Sequence, residues 1–157
     1  MTTLQATASF RSFRTDDLQS CLALFDANCP EFFAPNERAD YEGFLSKNPA
    51  TYIVATRNEK LVAAYGVSSN GQRSSLNWIL LARECQGLGL GSTIMKRVVA
   101  QAIELKTPVL CIAASHISAP FFARFSAVAG KTTWDGWGPG MHRVDMELPL
   151  KLKEDDN

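Results

Sequence analysis

Apolar residues alternate with polar ones in some stretches of the chain and recur every three or four positions in others, which divides it into strands and helices. Phe10 and Phe13 stand among the polar residues of Ser9 to Arg14 and mark a first strand. Thr15 reads as a helix N-cap with Asp16 and Asp17 in the first turn, and Leu18, Leu22 and Phe25 follow at helical spacing until Pro30. Glu31 to Asn36 is an aromatic-bearing loop, and a second short helix runs from Glu37 to Leu45. Thr51 to Thr56 and Leu61 to Ser68 are strands joined by the turn Arg57 to Lys60. Asn70-Gly71 is a further turn, leading into Ser75 to Leu81, whose run Trp78 to Leu81 predicts burial on both faces.

Gly91 to Lys106 is the clearest helix. Leu90, Ile94, Val98 and Ala102 form one stripe with Met95, Val99 and Ile103 beside it, while Lys96, Arg97, Gln101 and Glu104 lie opposite. Val109 to Ala113 is a buried strand. Ser118 to Ala129 reads as a helix capped by Ser118, with Pro120 in its first turn and Gly130 as its stop. Thr132 to Trp134 and His142 to Leu148 are late strands, separated by a D-G-W-G-P-G loop, and Val144, Met146 and Leu148 alternate with charged residues. The order is β-α-α-β-β-β-α-β-α-β-β. It predicts one α/β domain over residues 1–150, a mixed sheet carrying helices, and a frayed charged tail, Lys151 to Asn157.

Composition narrows the function. In 157 residues, 16 Lys and Arg balance 16 Asp and Glu, so no basic surface for nucleic acid is expected. The apolar runs are too short to span a bilayer, and Met1 to Ser9 lacks the pattern of a secretory signal. The cysteines (Cys21, Cys29, Cys85 and Cys111) form no C-x-x-C pair, and His116 and His142 are the only histidines. No metal site is expected, and reduced thiols in a cytoplasmic protein are.

Chemistry concentrates in Gln86-Gly87-Leu88-Gly89-Leu90-Gly91-Ser92, between a buried strand and an amphipathic helix. Glycines at alternate positions bare the backbone, and the first amides of the helix lack intrahelical partners. With the helix dipole they make an anion site suited to a pyrophosphate. The glycine spacing fits neither a G-x-G-x-x-G dinucleotide loop nor a Walker loop, which would need a lysine; a purely structural turn is the bland alternative.

These residues match the cofactor motif [Q/R]-x-x-G-x-[G/A], and the chain from about Phe10 to Leu148 resembles the GCN5-related N-acetyltransferase (GNAT) superfamily. Phe13-Arg14-Thr15-Asp16-Asp17 echoes that family's opening. The resemblance implies a mostly antiparallel mixed sheet of six to seven strands, helices on both faces, and a splayed central parallel pair, here Ser75–Leu81 and Val109–Ala113. It implies acetyl-CoA as cofactor, its pantetheine arm along the main chain of Ile79, Leu80, Leu81 and Ala82, and its pyrophosphate on Gln86, Gly87, Leu88, Gly89, Leu90, Gly91 and Ser92. Main-chain donors near Leu80 and Leu81 would stabilise the thioester oxyanion. The acceptor would be the primary amine of a small molecule or peptide, attacking the thioester directly.

The chain departs from the family where N-x-x-A-x-x-[FLI]-Y commonly stands: it reads His116-Ile117-Ser118-Ala119-Pro120-Phe121-Phe122. Phe122 replaces the tyrosine that protonates the leaving thiolate. His116, at the asparagine position, is a candidate acid or a cofactor contact, and Glu84, just past the strand, a candidate base. A water chain ending at backbone or Asn77 is the alternative route for the amine's proton. Phe32 and Phe33, with Asn77 and Trp137, are candidates to line the acceptor pocket; the bland reading puts Phe32, Tyr41 and Trp134 in the core. Trp137 is also a candidate for a mobile lid or a homodimer contact. A second class of function, an acyl-CoA-binding sensory module with little transfer, follows from the missing tyrosine; a partner-binding scaffold is a third.

Overall fold

The computed structural model of the chain describes residues 7–152. Most of the charged tail, 153–157, and the opening stretch 1–6 of the expected leaderless start lie outside the described residues. The strands are β1 (Ser9–Ser12), β2 (Tyr52–Arg57), β3 (Lys60–Ser69), β4 (Ser74–Leu81), β5 (Val109–Ser115), β6 (Val128–Gly138) and β7 (Met141–Pro149). The helices are α1 (Leu18–Ala27), α2 (Glu37–Ser46), α3 (Leu90–Glu104) and α4 (Ala119–Ala123). One seven-stranded sheet runs in the order β1-β2-β3-β4-β5-β7-β6. Every neighbouring pair is antiparallel except β4 and β5.

Register shows why helices cover both faces. Tyr52 pairs with Gly66, and Ile53 with Tyr65, so Tyr52 and Tyr65 point to opposite sides. Tyr52 packs edge-on against Phe44 of α2 and hydrogen-bonds Tyr41 of the same helix at 2.8 Å. The Tyr65 hydroxyl instead accepts from Arg97 of α3 at 2.9 Å. The apolar stripe of α3 is buried as its spacing predicts: Ile94, Met95, Val98 and Ala102 are all inaccessible to solvent or nearly so.

Three local expectations are corrected. Thr15 does not cap α1. A single 3-10 turn, Thr15–Asp17, precedes that helix, and the Asp17 carboxylate accepts the Arg14 amide at 2.8 Å while paired with both terminal nitrogens of Arg11. The helix expected from Ser118 to Ala129 stops at Ala123, because Val128 and Ala129 pair with Glu147 and Met146 of β7. The D-G-W-G-P-G segment is not a free loop: Asp135 to Gly138 belong to β6, leaving Pro139-Gly140 as the turn.

Candidate active site

β4 and β5 pair only at Ser74↔Leu110 and Ser75↔Cys111, then part. The junction is pinned by the Ser74 hydroxyl, which donates to the Val109 carbonyl at 3.2 Å and accepts from Thr107 at 2.9 Å. Beyond it β4 bulges: Ala64 pairs with Leu80 but Gly66 with Asn77. Trp78, inside the bulge, has φ of +38°, a conformation that only firm surroundings hold for a residue with a side chain. Those surroundings are the Tyr52 hydroxyl on the Trp78 carbonyl at 2.6 Å and the rings of Tyr41, Phe33 and Phe44 around the indole.

The parted strands form two walls of a cavity of about 720 Å³, with Leu76 to Leu81 on one side and Ile112 to Ser115 on the other. Gln86, Gly87, Gly89, Gly91 and Ser92 close one end, with Phe121, Phe122 and Arg124 beside them. At this end the amides of Gln86, Leu88 and Thr93 go to the carbonyls of Arg83, Cys85 and Gly89. Those of Gly87, Gly89, Leu90, Gly91 and Ser92 make no hydrogen bond among the described residues. Gly87 and Gly89 hold φ of +82° and +88°, and a Cβ at either would meet open space, so these turns keep the entrance unplugged. Gly91 serves packing instead: a Cβ there would lie 3.1 Å from the Phe121 ring. Arg124 lies over that same ring, 5.5 Å from its centre. Among the described residues, a set of amides without a hydrogen bond and one guanidinium share this end of the cavity, a combination suited to an anion.

The main chain available to a pantetheine arm is narrower than expected. The Leu81 carbonyl already accepts from Asn28 Nδ2 at 3.0 Å and Gln86 Nε2 at 3.3 Å, and the Ala82 amide goes to the Val62 carbonyl.

The other end is built by side chains. Phe32, Phe33, Glu37, Asn77 and Trp137 all line it. The Trp137 indole donates to the Ala114 carbonyl at 2.9 Å, and its own carbonyl accepts from Asn36 Nδ2 at 2.7 Å. Trp137 is therefore strand-held and doubly tied, not the mobile lid the loop reading suggested. Tyr41 is core as expected, but Trp134 is 75% exposed, its ring against His142, because the β6 edge faces solvent there.

Neither titratable candidate from the sequence reaches the cavity wall. Glu84 is on the outer surface, accepting from Lys60 at 3.0 Å. His116 stacks on His142 at 4.6 Å, and its Nδ1 accepts the His142 amide at 3.1 Å. Leu88 is exposed, with its amide committed to Cys85, and Leu90 packs on the core; neither lines the cavity. The charged residues on the wall are Glu37 and Arg124, and sequence reasoning singled out neither. Glu37 is 5% exposed, and burial pushes its carboxyl up from 4.5 to about 7, with Asp40 adding to the shift and the Ala34 amide opposing it. Among the described residues no cluster suits a metal ion.

The profile of the family described as Acetyltransferase (GNAT) matches residues 18–126. No curated protein sequence matches the chain. Among solved structures, it resembles the ribosomal-protein-S18-alanine N-acetyltransferase of Escherichia coli, with a TM-score of 0.75 and 14% identity over 96% of this chain and 99% of that one. Ard1 from Thermoplasma volcanium gives 0.76 and 13% over 92% and 98%. An aminoglycoside 6'-N-acetyltransferase complexed with coenzyme A gives 0.72 and 9% over 94% and 99%. At such identities these structures speak for the fold alone.

Proposed function

The chain belongs to the acetyltransferase (GNAT) family, and from that premise we propose that it transfers an acetyl group from acetyl-CoA to a primary amine by direct attack. One observation carries the reading: Gly87, Gly89, Gly91 and Ser92, whose amides make no hydrogen bond among the described residues, line the cavity between the parted β4 and β5. The diphosphate of the cofactor lies on those amides with Arg124 beside it, and the acyl arm runs into the gap. The main chain of Leu81, which alternates to the side of β4 away from β3, faces the gap, where its amide would stabilise the oxyanion developing on the thioester. The acceptor enters from the side of Phe32, Phe33, Asn77 and Trp137. Cys21, Cys29, Cys85 and Cys111 are all free thiols, which favours the cytoplasm as its place.

Ser92→Glu tests the cofactor site. Its carboxylate lies in the first turn of α3, where the dipole favours it, so folding is preserved or improved. A carboxylate there also competes with the diphosphate. Titration calorimetry is expected to show CoA affinity down at least about 100-fold, near 3 kcal/mol. Unchanged affinity in the folded variant would remove the phosphate assignment.

A second reading is favoured by Phe122, which is buried at the tyrosine position and offers no hydroxyl to the departing thiolate. It is an acyl-CoA-binding sensory module. Tight CoA binding without turnover across a panel of primary amines would select it.

A further inference from the structure

β4 presents no acid to the cavity, and Glu84 faces away, so the proton of the incoming ammonium needs another acceptor. We propose that Glu37 is that acceptor and that the amine it serves is carried on a flat apolar or aromatic body. The inference rests on the acetyl-transfer reading above and names the base and substrate class for the same cavity.

The geometry around Glu37 is a built one. Its amide donates to the Ala34 carbonyl at 2.9 Å, and its Oε2 accepts the Ala34 amide at 2.8 Å. This reciprocal pair fixes the carboxyl at the start of α2. Its other oxygen makes no hydrogen bond among the described residues and, although the residue as a whole is buried on the wall, that atom keeps some exposure. A buried carboxyl with one oxygen left over is suited to meet an N–H donor from a ligand. Asn36, next to it, ties this turn to β6 through the Trp137 carbonyl, so base and indole are held together.

The charged groups nearby leave the role to Glu37. Asp40, one turn on, raises rather than lowers its affinity for a proton. Arg38 is committed to Asp26. On the β6 and β7 side, Arg143 lies over Trp137 and pairs with Asp145. Among the described residues no cation neutralises the carboxylate, so a protonated amine is the charge it can take.

The surroundings set the class of amine. Phe32, Phe33, Trp78 and Trp137 share the wall with Glu37, and Arg124 belongs to the glycine end. The cations nearest this end, Arg83 over Phe32 and Arg143 over Trp137, are paired with Glu31 and Asp145 and do not line the cavity. Among the described residues a carboxylate on the acceptor therefore meets no cation on this wall, and a second ammonium no second acid. An aromatic ring meets flat apolar surface and π faces.

The step balances as follows. Ionised Glu37 takes one proton from R–NH3+, and the freed lone pair forms the N–C bond to the thioester carbon. The C–S bond breaks with its electrons on sulfur. The second proton lost from nitrogen goes to that thiolate, giving amide and CoA thiol, and Glu37 returns its proton to water.

The test follows thiol release from acetyl-CoA with 2-phenylethylamine as acceptor, and glycine and spermidine for comparison. Calorimetry measures CoA binding on the same samples. Glu37→Gln retains an oxygen for the Ala34 amide. Expected are a tenfold or greater preference for 2-phenylethylamine and a wild-type kcat/KM that rises through pH 7. In Glu37→Gln, kcat falls on the order of 100-fold with CoA affinity unchanged, and the rise moves to the pKa of the free amine. An unaltered rate and pH profile in the variant would overturn the role of Glu37. Equal use of glycine or spermidine, or no transfer to 2-phenylethylamine by a protein that binds CoA, would overturn the substrate class. Failure to bind CoA at all would instead strike at the acetyl-transfer reading.

Discussion

The two ends of the cavity are made from different materials. The glycine end is main chain: consecutive residues of one loop and one helix turn, whose amides need no particular side chain beyond the glycines that the positive φ of Gly87 and Gly89 and the packing of Gly91 on Phe121 require. The aromatic end is side chain: Phe32, Phe33 and Glu37 come from before and within α2, Asn77 and Trp78 from β4, and Trp137 from β6. The difference teaches where variation is cheap. Main-chain donors persist through sequence change because every residue but proline supplies them, whereas a wall of side chains is rewritten by single substitutions. A family can therefore keep one cofactor and change its acceptors.

Three substitutions break or sharpen this contrast, beginning with the largest effect. Glu37 binds its proton more tightly folded than unfolded. Its contribution to stability is therefore complete below about pH 4.5, falls as pH rises, and is gone above about 7. A shift of this size corresponds to about 3 kcal/mol. Denaturant unfolding at pH 5 and pH 8 should show the wild-type protein losing about that much more stability than Glu37→Gln. Equal losses would mean that the carboxyl is not held in the buried environment described. Gly138→Ala is next. Its Cβ would lie 2.8 Å from the Ala34 Cβ and collide with the Asn36 side chain, pushing the start of α2 off β6. It is expected to cost about 1–3 kcal/mol in stability and to raise KM for the amine, with CoA affinity intact. A parallel loss of CoA affinity would show that the two ends are not separable. Smallest is Trp137→Phe, which keeps the ring and deletes the indole donor to the Ala114 carbonyl. About 1 kcal/mol of stability should go, measured by the thermal midpoint, along with a rise of a few-fold in KM for the amine.

The same contrast governs what the chain reveals before it is folded. The glycine loop, its strand and α3 were legible because their signal is local: alternate glycines, a 3.6-residue stripe, a run of apolar β-formers. The splayed pair was available only through the family resemblance, since nothing in Ser75 to Leu81 alone says that pairing stops at Ser75. The late helix was overestimated because Ala119 to Ala129 is rich in helix-compatible residues, and only the partner strand β7, distant in sequence, draws Val128 into the sheet. Glu37 was invisible for a similar reason. At the start of a helix a glutamate reads as a favourable first-turn charge, and its burial depends on a tie between Asn36 and Trp137, 101 residues apart. An acid bordering an aromatic loop was the one trace it left. Glu84 and His116 illustrate the converse: neighbours in sequence of a functional loop and strand, they point elsewhere once the chain is folded.

The short ladder between β4 and β5 makes the sheet a seam joining two panels, β1 to β4 and β5 to β7, stitched at two rungs and a serine. Whatever lodges in the seam touches both panels and so acts as a rivet. Its binding energy is then also cohesion between them, and the melting point of the whole molecule becomes a gauge of how full that seam is.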